Sequence, residues 1–172
     1  MNLIVAVSKD FAIGKNNNLL FNLPTDMKFF REMTLNKVVI MGEKTYLSLP
    51  KRPLPNRINI VLSDNKNFYD DNIIIVRNLD DLFDKINKYP KDNVMVCGGA
   101  SVYNLLMDYC EKAYITKIDK IVDADTFINN IENLTNWELI NCSETIKENN
   151  LEFKFCTFLN KQIKEYKKTT AW

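Results

Sequence analysis

At 172 residues, with 46% apolar and 26% charged side chains, the chain has the length for one domain with a substantial core and an ordinary globular composition. Its 23 basic and 22 acidic residues nearly cancel, so no electrostatic argument favours a nucleic-acid partner despite the locally basic end KQIKEYKK, and a small-molecule partner is expected. Histidine is absent, which excludes imidazole metal sites, histidine-based triads and histidine acid–base chemistry; proton transfer is left to a carboxylate, a tyrosine, a lysine or water.

The opening MNLIVAVSKD carries a strand-like run at 3–7 that is too short for a signal peptide or a membrane span, so a cytoplasmic protein is expected. The next informative stretch is LLFNLPTDMKFF (19–30), which sets a carboxylate inside an apolar run. Pro24 suits the first turn of a helix and Thr25 can cap its free amides, which puts Asp26 in that first turn. An acid there interacts favourably with the helix dipole and needs no other purpose. Asp26, Phe30 and Met33, however, follow i, i+4, i+7 spacing, so the acid shares a face with apolar side chains and is a candidate site.

Further strand-like runs follow at KVVIM (37–41), INIVL (58–62), IIIV (73–76), VMVC (94–97) and AYITKI (113–118). They alternate with helices starting near Glu43, Asp80 and Ala100, the pattern of an α/β domain whose early sheet is mostly parallel and covered on both faces. The segment WELINCSETIKENNLEFKFCTFL (137–159) changes character: two strand-like runs about a polar KENN turn predict an antiparallel hairpin at the sheet edge. No second domain, repeat or linker interrupts residues 1–160, and 161–172 is expected to be a basic, frayed tail with Trp172 exposed. The cysteines, Cys97, Cys110, Cys142 and Cys156, are widely spaced without a C-x-x-C pair, so reduced thiols and no metal are expected.

Two strand-to-helix junctions suit a ligand. In VMVCGGASVYNLLM a strand meets Gly98 and Gly99, two of only four glycines, where the backbone can bend sharply and approach an anion. In VVIMGEKTYLSL, Gly42 follows a strand and Lys44 and Thr45 open a helix. Neither junction matches the P-loop or the G-x-G-x-x-G dinucleotide fingerprint, which disfavours an orthodox Rossmann domain or P-loop kinase.

In order and spacing, IVAVSKDFAIGKNN, FNLPTDMKFF, TLNKVVIMG with a following KT, RPLPNRINIVLS, VCGGASVY, YITKID and DADTF resemble dihydrofolate reductase of the bacterial type, from Leu3 to about Leu159. The resemblance implies a mixed eight-stranded sheet flanked by about four helices, a cis peptide between Gly98 and Gly99, and a monomeric enzyme that uses NADPH to reduce dihydrofolate in one-carbon metabolism and is a target of antifolates. It implies that Asp26 hydrogen-bonds the amide N–H and 2-amino group of the pterin, with Thr116 supporting it and Phe21 near the reacting centre. Ile4, Val5, Ala6, Met27, Phe30, Leu49 and Leu54 would line the folate cleft, and Arg57 would bind the glutamate tail in a bidentate pair.

For the cofactor, the same resemblance makes the loop from Gly14 to Leu20 a mobile lid with Asn17 and Leu19 facing the ligand. Cys97 and Tyr103, which would also border the substrate, would flank the nicotinamide, beside Ala6 and Ile13. Gly42, Lys44, Thr45, Leu62 and Ser63 would receive phosphate and ribose together with Gly98, Gly99, Ala100, Ser101 and Val102, and Arg77 and Thr126 complete the set. Three departures stand out. Glu43 and Ser101 replace arginines common in the family, leaving Lys44, Lys66 and Arg77 as the cations near the expected 2′-phosphate, and Phe21 replaces a tryptophan. Two rival readings follow, a reductase of the same fold acting on another pterin or pyrimidine, and a nucleotide-binding module without turnover.

Overall fold

The structure, a computed structural model, describes residues 1–168. Its strands are β1 (Asn2–Val7), β2 (Ala12–Lys15), β3 (Asn18–Leu19), β4 (Val38–Gly42), β5 (Ile58–Leu62), β6 (Ile74–Val76), β7 (Val94–Gly98), β8 (Lys112–Ile118), β9 (Thr126–Phe127), β10 (Trp137–Cys142), β11 (Ile146–Glu148) and β12 (Leu151–Asn160). The α-helices are α1 (Pro24–Thr34), α2 (Glu43–Ser48), α3 (Leu79–Ile86) and α4 (Ala100–Leu106).

The main sheet runs β10-β12-β8-β1-β7-β4-β5-β6, eight strands, with β11 added as a short partner of β12. From β8 through β6 every pairing is parallel, whereas β12 runs antiparallel to β8, β10 and β11. The residue types account for this division. The runs NLIVAV and VVIMG are buried at nearly every position, as parallel strands under helices on both faces must be. In β10 only Trp137 is buried, as befits an edge strand. The hairpin between β11 and β12 turns at Asn149 and Asn150, both at positive φ, where asparagine is tolerated. α3 is locally encoded: its Asn78 cap accepts the Asp81 N–H at 2.9 Å, and Asp80 and Asp81 sit in its first turn.

The expected eight-stranded mixed sheet, four helices and cis Gly98–Gly99 peptide are all present. Four features differ from the sequence-based expectations. Residues 12–19 and 126–127 form a small second sheet, β3-β2-β9, where only a loop was expected. Thr25 does not cap α1: the cap position is Leu23, without a side-chain bond, and the Thr25 hydroxyl turns elsewhere. Cys142 and Cys156 are joined in a disulfide rather than being free thiols, because the antiparallel register sets them opposite each other on β10 and β12 with Cα atoms 4.1 Å apart. The expected frayed tail is tied down over 161–168: Tyr166 stacks on Phe83 of α3 at 4.2 Å and bonds Asp80, and Lys168 pairs with Asp84 at 2.7 Å. Trp172 lies outside the described residues.

Candidate active site

Adjacent parallel strands put their carboxyl ends on one side of a sheet, where open α/β sheets bind ligands. At that side β1 and β8 set Ala6 opposite Thr116, and α1 brings Asp26 across to meet them. The Thr116 hydroxyl donates to Asp26 Oδ1 at 2.6 Å, while Oδ2 receives no donor among the described residues. The carboxylate is thus held by one oxygen and presents the other. Burial raises the Asp26 pKa, the Thr116 bond opposes the rise, and the charge of Glu148 adds to it. Such a group favours a ligand that offers it paired N–H donors.

The other side chains expected near the pterin are distributed over separate packing groups. The Tyr103 hydroxyl donates to the Ile4 carbonyl at 2.6 Å, tying α4 to β1, and burial pushes its phenol pKa well up, so it is neutral. Phe21 is half-buried and packs with Ala6 against Leu23, Ile118 and Phe153. Leu49, Leu54 and Cys97 pack together against Met41 and Tyr46. Burial pushes the Cys97 thiol up to about 12, so it is an apolar wall and no nucleophile. Val5 is buried and Phe30 half-buried, whereas Met27 is 57% exposed, an unusual state for so large an apolar side chain.

Arg57 is half-buried at the end of the loop after α2. Its Nε donates to the Pro55 carbonyl at 3.0 Å and its Nη1 to Thr34 Oγ1 at 3.0 Å, which fixes the guanidinium plane. Burial lowers its pKa without approaching neutrality in charge, and Nη2 has no acceptor among the described residues. Sequence reasoning missed the residue that shapes this loop. Asn59, buried in β5, accepts the Leu54 N–H at 2.9 Å and donates to the carbonyls of Leu54 at 2.9 Å and Arg57 at 3.1 Å. An asparagine inside the apolar INIVL run was the available signal, because buried amides need such partners.

The two glycine junctions meet. A Cβ on Gly98 would stand 3.5 Å from Thr45 Cγ2 and 3.6 Å from the Tyr103 ring, at a φ of +131° that favours glycine. A Cβ on Gly99 would come within 2.9 Å of Thr45 Oγ1, and one on Gly42 within 3.3 Å of Val102 Cγ2. Thus Gly42, Thr45, Gly98, Gly99, Val102 and Tyr103 form one cluster at the ends of β4 and β7. Ala100 is half-buried, and Ser101 and Lys44 are exposed.

The outer cofactor residues are arranged less simply. Glu43 accepts from Ser63 Oγ at 2.5 Å and from Asn65 Nδ2 at 3.3 Å, so its carboxylate faces the same loop as Ser63 and pairs with neither Lys44 nor Arg77. Arg77 points inward: Nη1 donates to the carbonyls of Ser63 at 3.3 Å and Asn65 at 2.5 Å, and Nη2 to that of Phe68 at 2.8 Å. Its role here is to hold the loop 63–68. Leu62 and Ile13 are half-buried against the main core. The expected lid is a β-hairpin, with Gly14 opposite Leu19, Asn16 and Asn17 at positive φ, and the Asn16 N–H donating to Asp125 at 2.9 Å. Leu19 is 80% exposed there, and Thr126 lies across from Gly14.

Residues 1–160 match the family model described as dihydrofolate reductase. The chain is 36% identical over 153 residues to the dihydrofolate reductase of Enterococcus faecium, covering 87% of this chain and 90% of that one. It is 35% identical over 173 residues to bifunctional dihydrofolate reductase-thymidylate synthase 2 of Arabidopsis thaliana, covering 90% of this chain and spanning 30% of that longer protein. Among solved structures, dihydrofolate reductase from Enterococcus faecalis complexed with NADP(H) and RAB-propyl superposes with a TM-score of 0.83 at 28% identity, over 92% of this chain and 95% of that one. With the sheet order, the Asp26–Thr116 pair and the paired glycines in place, these matches establish that the chain belongs to the dihydrofolate reductase family.

Proposed function

We propose that the protein reduces 7,8-dihydrofolate to 5,6,7,8-tetrahydrofolate with NADPH, adding hydride to C6 and a proton to N5 of the pterin, and so supplies one-carbon metabolism. The observation that carries this reading is the Asp26 carboxylate, anchored by Thr116 on one oxygen and open on the other. In this role Asp26 accepts the pterin's amide N–H and 2-amino group, and its negative charge stabilises positive charge developing at N5 as the proton arrives. Arg57, with Nη2 open, takes a carboxylate of the glutamate tail. Ile4, Val5, Ala6, Phe30, Leu49 and Leu54 supply apolar surface between these two polar ends.

The cofactor residues fit a dinucleotide on one count: Gly98 and Gly99 leave the backbone bare at this junction, and a Cβ at Gly99 would collide with Thr45, so only glycine lets backbone and Thr45 lie side by side there. Gly42, Thr45, Ser63, Gly98, Gly99 and Ala100 would hold NADPH, and Tyr103 and Cys97 would border its nicotinamide. When bound, the nicotinamide supplies the hydride. Tyr103, neutral and bonded to Ile4, keeps that border apolar and fixed.

This reading makes the protein a cytoplasmic monomer and a target for antifolates that copy the pterin's paired N–H groups. Among the described residues no helix is long and apolar enough to cross a membrane. The absorbance of reduced nicotinamide tests the proposal, with dihydrofolate and NADPH together and each alone. Loss of absorbance only with both supports it. Equal turnover of a pterin lacking the glutamate tail would favour the other-substrate reductase, and binding without turnover the nucleotide-binding module.

A further inference from the structure

The first turn of α1 is not capped from within. Its cap position, Leu23, has no side-chain acceptor, and the partner comes instead from 123 residues away: Glu148, the last residue of β11, accepts the Thr25 N–H on Oε1 at 3.1 Å and the Thr25 hydroxyl on Oε2 at 2.5 Å. Asn149 adds a second strut, its Nδ2 donating to the Asn22 carbonyl at 3.0 Å. Thr25 is the immediate neighbour of Asp26, so the hairpin grips the backbone at the residue before the carboxylate.

The same hairpin leads to the other side of Asp26. β12 leaves the turn opposite β11, with Glu148 across from Leu151, and pairs with β8 so that Phe155 lies opposite Thr116. Phe29 of α1 also packs on Phe155, ring centroids 4.3 Å apart. The backbone before Asp26 and the hydroxyl that anchors its Oδ1 are therefore both referred to one antiparallel frame, β11-β12-β8. A shift of the hairpin moves both together.

We propose that Glu148 is a positioning residue for the reaction, holding the first turn of α1, and with it Asp26, through both carboxylate oxygens. This rests on the reading of Asp26 as the pterin-binding carboxylate. The groups around Asp26 make Glu148 the charge that matters. From β8 comes the Thr116 hydroxyl, which does not titrate, and from α4 comes Tyr103, which burial keeps neutral. On α1 itself Lys28 and Glu32 pair with each other on the exposed side at 3.8 Å. Glu148 makes no ion pair among the described residues; its charge is met only by the Thr25 N–H and hydroxyl, and it raises the Asp26 pKa in the same direction as burial.

The test compares Glu148→Gln, which keeps an acceptor for the Thr25 N–H but removes the charge, with Glu148→Ala, which removes both. Three quantities are read: thermal unfolding, the Asp26 carboxyl titration followed by carbon NMR and assigned with Asp26→Asn, and kcat and KM for dihydrofolate against pH. In Glu148→Gln the Asp26 titration is expected to move to lower pH, and the pH profile of kcat to move with it, in a protein that remains folded. In Glu148→Ala, kcat/KM should fall about tenfold beyond that, through loss of placement. If Glu148→Ala does not fold, Glu148→Gln alone decides. An unmoved Asp26 titration in Glu148→Gln overturns the proposal. A moved titration with an unmoved kcat profile overturns it differently: Glu148 then acts on Asp26, but Asp26 does not control turnover, and it is the function reading that fails.

Discussion

Thr116→Val removes one hydroxyl and leaves the shape of β8 almost unchanged, which makes it a clean probe of Asp26. Thr116 is 1% exposed and its 2.6 Å bond ends on a carboxylate, so the lost interaction belongs to the class worth about 1.5–3 kcal/mol. Its size depends on pH. Burial already raises the Asp26 pKa above the unfolded value, and losing the Thr116 donor raises it further. Between the unfolded and folded pKa the native state then holds more protons than the unfolded state, so stability falls as pH rises through that window. The penalty of Thr116→Val is therefore full once pH exceeds the variant's further raised folded pKa, and is lost as pH falls through the wild-type folded pKa, below which Asp26 is protonated in both folded proteins. Urea unfolding of both proteins at neutral and acid pH measures it. A destabilisation of about 2 kcal/mol at neutral pH that mostly vanishes at acid pH is expected. An equal loss at both would mean that the hydroxyl stabilises through packing and that Asp26 is not charged in this site.

Arg57→Ala should weaken dihydrofolate by about 2–4 kcal/mol, since the ligand carboxylate is left buried without its partner, and should leave a pterin without the tail unaffected; equal losses for the two ligands would make the arginine structural. Gly99→Ala puts a methyl group 2.9 Å from Thr45 Oγ1 and should lose about 1–3 kcal/mol of stability together with NADPH affinity, much of it recovered in the double variant Gly99→Ala/Thr45→Ala; absence of that coupling would show that Thr45 is not the obstacle. Glu43→Arg should raise the NADPH-to-NADH affinity ratio, because Glu43 faces Ser63 and a like charge about 8 Å from a phosphate costs roughly 2 kcal/mol at an effective dielectric of about 20. An unchanged ratio at low and moderate salt would remove Glu43 from cofactor selection.

Much of the sheet was legible because its parallel strands are continuous apolar runs, and each run from 3–7 to 113–118 became a strand within about a residue or two of its predicted ends. Asp26 was legible for a related reason, a charge on an apolar helical face. What stayed hidden depends on pairings distant in sequence. The Cys142–Cys156 disulfide follows from the register of β10 on β12, which no spacing rule reveals. Glu148 reads as one more solvated charge in a KENN turn until the hairpin folds onto Thr25. Arg77 reads as a free cation, yet three carbonyls of the loop 63–68 claim it, and the 161–168 tail is held by contacts distant in sequence, among them Tyr166 stacking on Phe83 and Lys168 pairing with Asp84. Local pattern encodes which face is buried, and tertiary contact decides what a polar side chain on the surface does.

If a negatively charged Asp26 drives protonation of the pterin, the uncharged variant Asp26→Asn must lose turnover in a pH-dependent way. Asparagine keeps the size and an acceptor for Thr116 but carries no charge. Steady-state turnover with saturating dihydrofolate and NADPH, followed by reduced-nicotinamide absorbance across pH, should fall on the order of a hundredfold at neutral pH and recover toward the wild-type rate as the medium becomes acidic enough to protonate N5 without help, with folding and binding of a folate analogue retained. Wild-type turnover at neutral pH in Asp26→Asn would contradict the account and return Asp26 to the role of an acid placed at a helix start.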